Sequence, residues 1–447
     1  MSNLMEEEPR KTRKTQKNGF MEKLLDGAEV EWKALGEESV GEFIRGGSLQ
    51  KKNFTETGVG CIHYGQIYTH YGTYADKTKT FVSEEFAKKC RKAQSGNLVI
   101  ATTSENDEDV CKAVAWLGNE DIAVSSDACI YKHKLNPKYV SYFLQTEQFQ
   151  SQKRQYITGA KVRRVNADNL AKILIPIPCP ENPKKSLEIQ AEIVRILDAF
   201  TELTTELTTE LTARKKQYCY YRDQLLRFDL PAGQAGEGEA CLSGRQVEWK
   251  MLGDVALDFG RGKSKHRPRN DSKLYGGDIP FIQTGDIRNA SHIIQKFSQT
   301  YSEFGLKQSK LWPKGTLCIT IAANIAETSI LGFDACFPDS VIGFIANPEE
   351  TSSSYVEYLL SSLKKQLEEK GQGSAQSNIN LGTFQNLKLP FPSLAEQTRI
   401  VAILDKFDAL TTSLTEGLPR EIELRRKQYE YYRDLLLNFP KPEVQEG

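Results

Sequence analysis

The sequence predicts an α+β protein with two mixed α/β domains, separated by two long antiparallel coiled-coil helices that are related by pseudo-twofold symmetry. Three observations predict this architecture. Four sequence blocks occur twice in the same order, each copy ends in a long periodic run of apolar residues, and the stretches between the blocks contain short β-rich runs broken by turn residues. The chain is therefore interpreted as two copies of one unit, each a globular domain followed by a helix.

The repeat is clearest at the start of each copy, where Val30-Glu-Trp-Lys-Ala-Leu-Gly36 recurs as Val247-Glu-Trp-Lys-Met-Leu-Gly253. Three further pairs of blocks follow in order: 159–178 with 373–392, 193–200 with 400–407, and 214–223 with 425–434. Four ordered matches indicate duplication of a whole unit rather than chance similarity.

Residues 41–158 and 258–372 share little sequence that can be aligned, so the copies have a common frame and different contents. Both stretches nevertheless contain β-rich runs, such as 97–101 and 316–321. The predicted segments are an N-terminal extension (1–29), domain 1 (30–187), a central spacer helix (188–229), a flexible Gly-rich linker (230–246), domain 2 (247–393), a C-terminal spacer helix (394–440) and a tail (441–447).

Both spacer helices are predicted from apolar residues that alternate at spacings of three and four. The first runs from about Leu187 to Phe228, roughly 60 Å, and repeats Thr-Glu-Leu-Thr three times at 201–212. Such a seam needs a partner: the other copy's helix is the nearest, and a homodimeric coiled coil is the alternative. The residues predicted to pack are Ile193, Ile196, Phe200, Leu203, Leu207, Leu211, Tyr218, Tyr221, Ile400, Ile403, Phe407, Leu410, Leu414, Tyr429 and Tyr432.

The second spacer helix has four residues more than the first between its two shared blocks. They fall where Gly417-Leu-Pro419 interrupts the pattern. Proline removes a backbone donor and crowds the preceding turn, so this helix should be kinked or split near 417–419.

Composition and charge exclude several classes of protein. The 447 residues carry 59 basic and 59 acidic side chains, so nucleic acid would have to be bound by local basic clusters rather than by overall charge. The chain lacks an apolar run of roughly 20 residues and a secretory signal, which predicts a cytoplasmic protein without a membrane span. The nine cysteines form no Cys-x-x-Cys pair, so no metal site is expected.

The motifs of the obvious enzyme classes are absent or incomplete. There is no Asn/Asp-Pro-Pro-aromatic loop of an amino-methyltransferase, and Gly262-Lys-Ser264 lacks the first glycine of a phosphate-binding loop because Leu257 stands there. Asp339 with Glu368 and Lys370 formally matches a metal-dependent nuclease, but Glu368 lies in a helical pattern. A binding protein without catalytic residues is the leading interpretation; a self-sufficient nuclease and a coiled-coil scaffold that binds no DNA remain alternatives.

The shared blocks resemble the conserved regions of specificity subunits of type I restriction-modification systems, most closely the type IC subfamily. The resemblance covers about residues 21–440. It rests on Gly373-Ser-Ala-Gln-Ser-Asn-Ile-Asn380, on 390–405, on the Thr-Glu-Leu-Thr repeats and on both Lys-Gln-Tyr-x-Tyr-Tyr-Arg-Asp segments. Two features depart from the pattern: a charged extension (1–20) precedes Met21, where such proteins usually begin, and Lys161-Val-Arg-Arg-Val-Asn166 replaces the amide-rich loop of copy two.

The resemblance implies that domains 1 and 2 are target-recognition domains, each reading one half of an asymmetric bipartite site in double-stranded DNA. It implies no catalytic residue and no cofactor in this chain. Two modification subunits would supply S-adenosylmethionine and methylate adenine, and two restriction subunits would supply ATP-driven translocation and cleavage with Mg²⁺. The spacer helices would separate the two domains and dock these partners.

Phosphate contacts are expected from Arg and Lys, and base contacts also from Asn, Gln and other polar side chains. In domain 1 we predict DNA binding by Arg45, Lys51, Lys52, His63, Tyr64, Gln66, Tyr68, His70, Lys161, Arg163 and Arg164. In domain 2 we predict it for Arg261, Lys263, Lys265, Arg267, Gln283, Thr284, Arg288, Gln376 and Asn378. The alternatives are that the tyrosines belong to core strands and that the basic stretches are solvated loops.

Overall fold

The computed structural model describes residues 23–228, 247–290, 292–322, 325–372, 380–413 and 417–439. The chain divides into two units: unit 1 contains residues 1–205 and 424–447, and unit 2 contains 206–423. The predicted α+β class is confirmed, with mixed sheets and long helices. None of the helices among the described residues combines the length and the apolar character that a membrane span needs.

Fourteen strands lie in the described part of unit 1. They are β1 (Val30–Ala34), β2 (Gly41–Arg45), β3 (Phe54–Thr55), β4 (Val59–Ile62), β5 (Tyr74–Ala75), β6 (Thr80–Val82), β7 (Lys92–Ala93), β8 (Leu98–Ala101), β9 (Thr103–Ser104), β10 (Ala113–Trp116), β11 (Ile122–Val124), β12 (Ala128–His133), β13 (Arg163–Arg164) and β14 (Leu174–Pro178). Two five-stranded sheets have the orders β2-β12-β8-β10-β5 and β3-β6-β4-β11-β7, and β1 pairs with β14 and β9 with β13.

The helices of unit 1 begin at side chains that accept hydrogen bonds from the first free backbone N–H groups. Ser83, Asn136, Thr146 and Asn166 cap four of them in this way. The helices are α1 (Tyr64–Thr69), α2 (Glu84–Ala87), α3 (Pro137–Phe143), α4 (Glu147–Arg154), α5 (Ala167–Leu170) and the long α6 (Pro183–Leu225), and Lys51–Asn53 forms a 3-10 helix. Helix α6 begins in unit 1 and continues in unit 2 from residue 206. The main core joins the sheet containing β8 to α3 and to the first turns of α6.

The residues of unit 2 that the structure describes form nine strands. They are β15 (Val247–Met251), β16 (Ala256–Arg261), β17 (Tyr275–Phe281), β18 (Ile293–Ile294), β19 (Gln299–Tyr301), β20 (Leu317–Thr320), β21 (Thr328–Leu331), β22 (Val341–Ala346) and β23 (Lys388–Pro392). The helices are α7 (Thr284–Asn289), α8 (Glu303–Lys307), α9 (Ser353–Gln372), α10 (Leu381–Gln385), α11 (Leu394–Thr412) and α12 (Gly417–Leu436), with 3-10 helices at Leu252–Val255 and Ser272–Leu274. Helix α12 begins in unit 2 and continues in unit 1.

One five-stranded sheet has the same strand order in both units, although most of their sequence between the shared blocks does not align. The order β2-β12-β8-β10-β5 in unit 1 matches β16-β22-β20-β21-β18 in unit 2, and the outermost pair is parallel in both. Three short sequence patterns fall at equivalent places: 43–48 with 259–264 (Phe-x-Arg-Gly-x-Ser), 62–67 with 282–287 (Ile-x-x-Gly-x-Ile) and 139–142 with 355–358 (Tyr-Val-x-Tyr). The stretches 41–158 and 258–372, which share little sequence that can be aligned, therefore contain a sheet with the same strand order.

The tyrosine pairs anchor α3 and α9 in the same way. Tyr139 donates to the carbonyl oxygen of Pro176 at 2.8 Å, and Tyr355 donates to that of Pro390 at 2.9 Å. One turn later, Tyr142 and Tyr358 each donate to an aspartate of the adjoining spacer helix, Asp198 and Asp405 respectively, at 2.7 Å. Burial raises the pKa of all four phenols, so they remain protonated donors.

The spacer helices are continuous in the first copy and split in the second. Helix α6 has 43 residues, whereas the second copy forms α11 and α12 as separate helices. Pro419 lies in the first turn of α12, where its missing N–H would have no helical partner in any case. Gly417, the first residue of α12, has a φ of 78°, which suits glycine.

The predicted seam residues occupy several environments. Ile193 and Ile400 are buried, and Phe200 stacks on Tyr432 within unit 1. Within unit 2, Tyr221 stacks on Phe407. Ile196, Leu203, Leu207, Leu211, Tyr218, Ile403, Leu410 and Tyr429 are half-buried, and Leu414 lies outside the described residues.

Candidate nucleic-acid interface

Each domain has an arginine at the same place in the fold, the last residue of the edge strand of its five-stranded sheet. Arg45 ends β2 and Arg261 ends β16, at matching positions in the strand register. Both side chains are exposed. Each arginine opens a basic loop, residues 45–53 in domain 1 and 261–274 in domain 2, so the two predicted basic clusters lie on equivalent loops.

A short helix follows a neighbouring strand in each domain, and its first turn has the same internal hydrogen bond. The backbone N–H of His63 donates to Oε1 of Gln66 at 3.0 Å, and that of Gln283 donates to Oδ2 of Asp286 at 2.8 Å. In each case the third helical residue reaches back to the residue that precedes the helix. His63 and Gln283 are therefore held in equivalent, fixed positions.

In domain 1, Ser125 joins the basic loop to this short helix. A Cβ atom on Gly46 would overlap the carbonyl oxygen of Ser125, so only glycine permits the loop to pass so closely. The hydroxyl of Ser125 accepts the backbone N–H of Tyr64 at 2.9 Å. The basic loop and the start of α1 consequently form one continuous surface.

In domain 2, the segment 336–338 makes the same junction. The carbonyl oxygen of Cys336 accepts the N–H of Ile282 at 2.8 Å, and the carbonyl oxygen of the next residue, Phe337, faces Gly262. A side chain at Gly262 would overlap that oxygen. We call these two surfaces the candidate interfaces: residues 45–53 with 63–66 in domain 1, and 261–274 with 283–286 in domain 2.

The basic residues of domain 2 divide into bound and unbound groups. Arg261 donates to the carbonyl oxygen of Asp339 at 2.8 Å. Nη2 of Arg269 donates to both carboxylate oxygens of Asp339, at 2.8 and 3.0 Å. Arg267 donates to two carbonyl oxygens of its own loop. Lys263 and Lys265 are exposed, and within the part of the chain that the structure describes their ammonium groups have no hydrogen-bond or ion-pair partner.

Domain 1 has a similar division. Arg45, Lys51 and Lys52 are exposed, and none of the three side chains forms an ion pair with another described residue. In the separate loop 158–164, Arg163 is paired with Asp107 at 2.8 Å, whereas Lys161 and Arg164 are exposed. The cations available for phosphate are therefore spread over two loops of this domain.

The chemistry at His63 differs from that at Gln283. Nδ1 of His63 accepts the backbone N–H of Gly65 at 3.2 Å, which leaves the proton on Nε2. Burial and the positive charge of Lys51 hold the pKa of this imidazole below its usual value, so the ring is neutral at physiological pH. Gln283 instead is exposed and presents an amide, with its Nε2 donating to Oε1 of Gln299 at 2.5 Å.

Several other predicted residues lie in or near α1 and α7. Gln66 is occupied, because its side chain also donates to the hydroxyl of Thr80 at 3.0 Å. Tyr64 and Tyr68 lie on α1 rather than in a strand, and Tyr68 donates to the carbonyl oxygen of Thr103. His70 and Arg288 are exposed and Thr284 is half-buried, whereas Gln376 and Asn378 lie outside the described residues.

The residues of the nuclease alternative are not brought together. Asp339 is bound by Arg269, and Glu368 lies on α9 beside Lys364, whose ammonium also pairs with Glu327 at 2.8 Å. Among the described residues there is no cluster of three or more His, Cys, Asp or Glu side chains that could hold a metal ion. The side chain of Lys370 lies outside the described set.

Sequence reasoning missed two participants in these interfaces. Gln299 lies sixteen residues from Gln283 and meets it only because β17 and β19 pair. Ser125 meets the basic loop through an isolated parallel bridge to Gly47, which is far from it in the sequence. The shared Phe-x-Arg-Gly-x-Ser pattern at 43–48 and 259–264 was the available signal, since it marks equivalent loops in the two domains.

Comparisons with known proteins agree over nearly the full chain. The family model for the type I restriction modification DNA specificity domain matches residues 29–215 and 246–424. The chain is 34% identical to the specificity subunit of the type I restriction enzymes EcoR124I and EcoR124II of Escherichia coli, over 95% of this chain and 98% of that one. It is 32% identical to a putative type I restriction enzyme specificity subunit of Haemophilus influenzae, over 94% and 98%.

A solved structure shares the fold. It is described as showing the assembly and conformational transition of the type I R-M system, and one of its chains matches with a TM-score of 0.60 at 17% identity. The match covers 92% of this chain and 97% of that one. At this level of identity the likeness concerns the fold alone.

Proposed function

This chain belongs to the type I restriction-modification specificity family, and from that premise we propose that its two domains read the two unequal halves of a bipartite DNA site. It is a DNA sequence-specificity subunit. The proposal concerns how it works: domain 1 binds one half-site, domain 2 binds the other, and the chain itself catalyses no step.

The observation that carries the proposal is the repeated candidate interface with different chemistry in each copy. Both interfaces combine exposed cations with a fixed polar side chain, which is the combination expected for phosphate contact and base reading. The fixed residue is His63 in one domain and Gln283 in the other, and these side chains offer different hydrogen-bonding groups. Two such surfaces would select different bases, so the half-sites should not be palindromic.

The spacer helices would set the number of base pairs between the half-sites. Helix α6 is continuous over 43 residues and connects the domains along the chain. One Thr-Glu-Leu-Thr unit adds about 6 Å of helix, and one base pair adds about 3.4 Å of duplex. Each repeat would therefore change the gap by one or two base pairs.

The helices would also dock the catalytic partners. We expect two modification subunits, which bring S-adenosylmethionine and methylate adenine, and two restriction subunits, which bring ATP and Mg²⁺. The helix segments 214–223 and 425–434 are nearly identical in sequence, and each presents an exposed tyrosine, Tyr220 and Tyr431. Two equivalent surfaces suit a partner that binds in two copies.

Selection of DNA from a random pool tests the proposal. The full chain, assembled with its modification subunit, is incubated with random duplexes, and the bound fraction is sequenced. We expect two different conserved half-sites with a fixed gap of unspecified bases. Binding without sequence preference would support the scaffold alternative, and cleavage by the chain alone with Mg²⁺ would support the nuclease alternative.

A further inference from the structure

We propose that the side chains of Gln283 and Gln299 act together as one reading unit, which selects adenine at one position of the half-site bound by domain 2. This inference rests on the proposed function, because it assumes that domain 2 contacts base edges. It goes further by assigning a base to two named residues.

The hydrogen bond between the two amides orients the Gln283 amide and leaves its reading groups available. Nε2 of Gln283 donates to Oε1 of Gln299 at 2.5 Å. A carboxamide nitrogen has two hydrogens, so Gln283 keeps its second N–H and its Oε1 for a ligand. Gln299 therefore fixes the plane of the Gln283 amide, which still offers one donor beside one acceptor.

Their backbone is fixed from both sides. Oδ2 of Asp286 accepts the N–H of Gln283 at 2.8 Å and the hydroxyl of Ser298 at 3.2 Å, so one carboxylate holds the segment after β17 and the residue before β19. Phe281 lies opposite Gln299 in the register of β17 and β19, and its ring stacks on Tyr301 with 3.9 Å between centroids. Two side chains held by such a rigid backbone lose less conformational entropy on binding than two free glutamines.

The residue before Gln283 is linked to the basic loop through one segment. The N–H of Ile282 is bonded to Cys336, and the following residue, Phe337, lies against Gly262 in the basic loop. The next residue of that loop, Lys263, has an exposed side chain, and its carbonyl oxygen accepts the hydroxyl of Ser309 at 2.8 Å. A duplex held through phosphates at this loop would bring a groove edge to the two amides.

The donor and acceptor match one base. In the major groove adenine offers N7 as an acceptor and N6–H as a donor, whereas guanine offers two acceptors, N7 and O6. An amide oxygen facing guanine O6 would bring two acceptors together. The pair should therefore favour adenine over guanine at the contacted position.

Domain 1 lacks such a pair, which makes the inference specific to one half-site. The equivalent positions are His63 and Thr80, and the hydroxyl of Thr80 is bonded to the side chain of Gln66 at 3.0 Å. His63 offers a single Nε2–H donor. Substitutions at Gln283 and Gln299 should leave the half-site read by domain 1 unchanged.

The test is selection and sequencing of DNA bound by the assembled complex, with wild type, Q283A and Q299A compared in parallel. Each substitution should reduce the preference for one A·T pair in one half-site about 5- to 150-fold. The other half-site and the gap should be retained, which shows that the variant is folded and assembled. Q366A, an exposed glutamine on α9, is the matched control and should select the wild-type site.

The outcomes separate this inference from the proposed function. If wild type selects a bipartite site and both variants keep the same preferences at every position, the inference is wrong and the proposed function stands. A reduced preference for guanine or cytosine would also contradict it. If wild type selects no bipartite site, the proposed function itself is wrong. If Q283A does not assemble with its partner subunit, the result for Q299A alone tests the inference, because Gln299 lies on a strand and caps no helix.

Discussion

The ring of Phe200 stacks on that of Tyr432 in unit 1, with 5.1 Å between centroids and 17° between planes. The equivalent residues meet in unit 2 with their roles exchanged between helices, since Tyr221 stacks on Phe407 at 5.8 Å and 27°. Each unit therefore combines a domain with the start of its own spacer helix and the end of the other copy's helix. The blocks that carry these rings, 193–200 with 400–407 and 214–223 with 425–434, pack on each other in each unit. Their mutual packing explains why both were kept after duplication.

Removing either stack should destabilise the unit that contains it. Phe200→Ala should lower the free energy of unfolding of unit 1 by about 2 kcal/mol, because the substitution removes a half-buried aromatic ring and its stacking on Tyr432. Phe407→Ala should do the same in unit 2. Hydrogen exchange during urea unfolding assigns each destabilisation to its unit. Leu257→Ala, at a side chain that is 66% exposed, should change little, and a similar destabilisation there would contradict the account.

The glycines of the candidate interfaces should differ in tolerance. Gly262→Ala should destabilise domain 2 by about 1–3 kcal/mol and weaken DNA binding, because a Cβ atom there overlaps the Phe337 carbonyl oxygen. Gly285→Ala is the matched control for the thermal unfolding, since the space around a Cβ atom at that position is open. Thermal unfolding and DNA affinity of the two variants check this. Equal tolerance at both positions would show that the loop does not pack as described.

The exposed lysines of the basic loop should contribute through phosphate contacts. Lys263→Ala with Lys265→Ala should weaken binding to all DNA sequences and reduce the slope of log affinity against log salt by about one for each phosphate that is no longer neutralised. Arg267→Ala should act differently, by loosening the loop, because its guanidinium donates to two loop carbonyls. Binding titrations at several salt concentrations distinguish the two cases. If the slope of log affinity against log salt is unchanged in the lysine variant, this loop does not contact the phosphates.

The stability of unit 2 should fall as the pH rises above neutrality. His292 Nδ1 pairs with Glu357 at 2.8 Å. Burial alone lowers the pKa of this imidazole, but the hydrogen bond and charge of Glu357 outweigh it and raise the pKa above 6.5. The groups that face His292 are Ser354, Glu357 and Tyr358 on α9 and Asp405 and Asp408 on α11.

Because the folded-state pKa is raised, the stabilisation is complete below about 6.5 and disappears as the pH passes through the raised value. His292→Gln should therefore lower the melting temperature clearly at pH 6 and much less at pH 9. Melting curves of both proteins across this range measure the difference. A difference that is constant with pH would mean that the pair contributes no charge interaction.

The sequence predicted the shared blocks and the spacer helices of this protein much better than its two candidate interfaces. The first spacer helix was expected at about 187–228 and is found at Pro183–Leu225, because a helical seam is visible as a local spacing of apolar residues. A residue-by-residue match between the two domains outside the shared blocks was not found, because only a few equivalent residues, such as Arg45 and Arg261, are retained there. The pairing of Gln283 with Gln299 depends on strand register, which no local pattern specifies.

The most direct test of the central claim combines selection of DNA with a change in helix length. The complex containing wild-type chain and one carrying a fourth Thr-Glu-Leu-Thr copy after Thr212 are each used to select bound duplexes. We expect the same two unequal half-sites in both, with the gap longer by one or two base pairs in the extended protein. A palindromic site, or an unchanged gap between unchanged half-sites, would contradict the account.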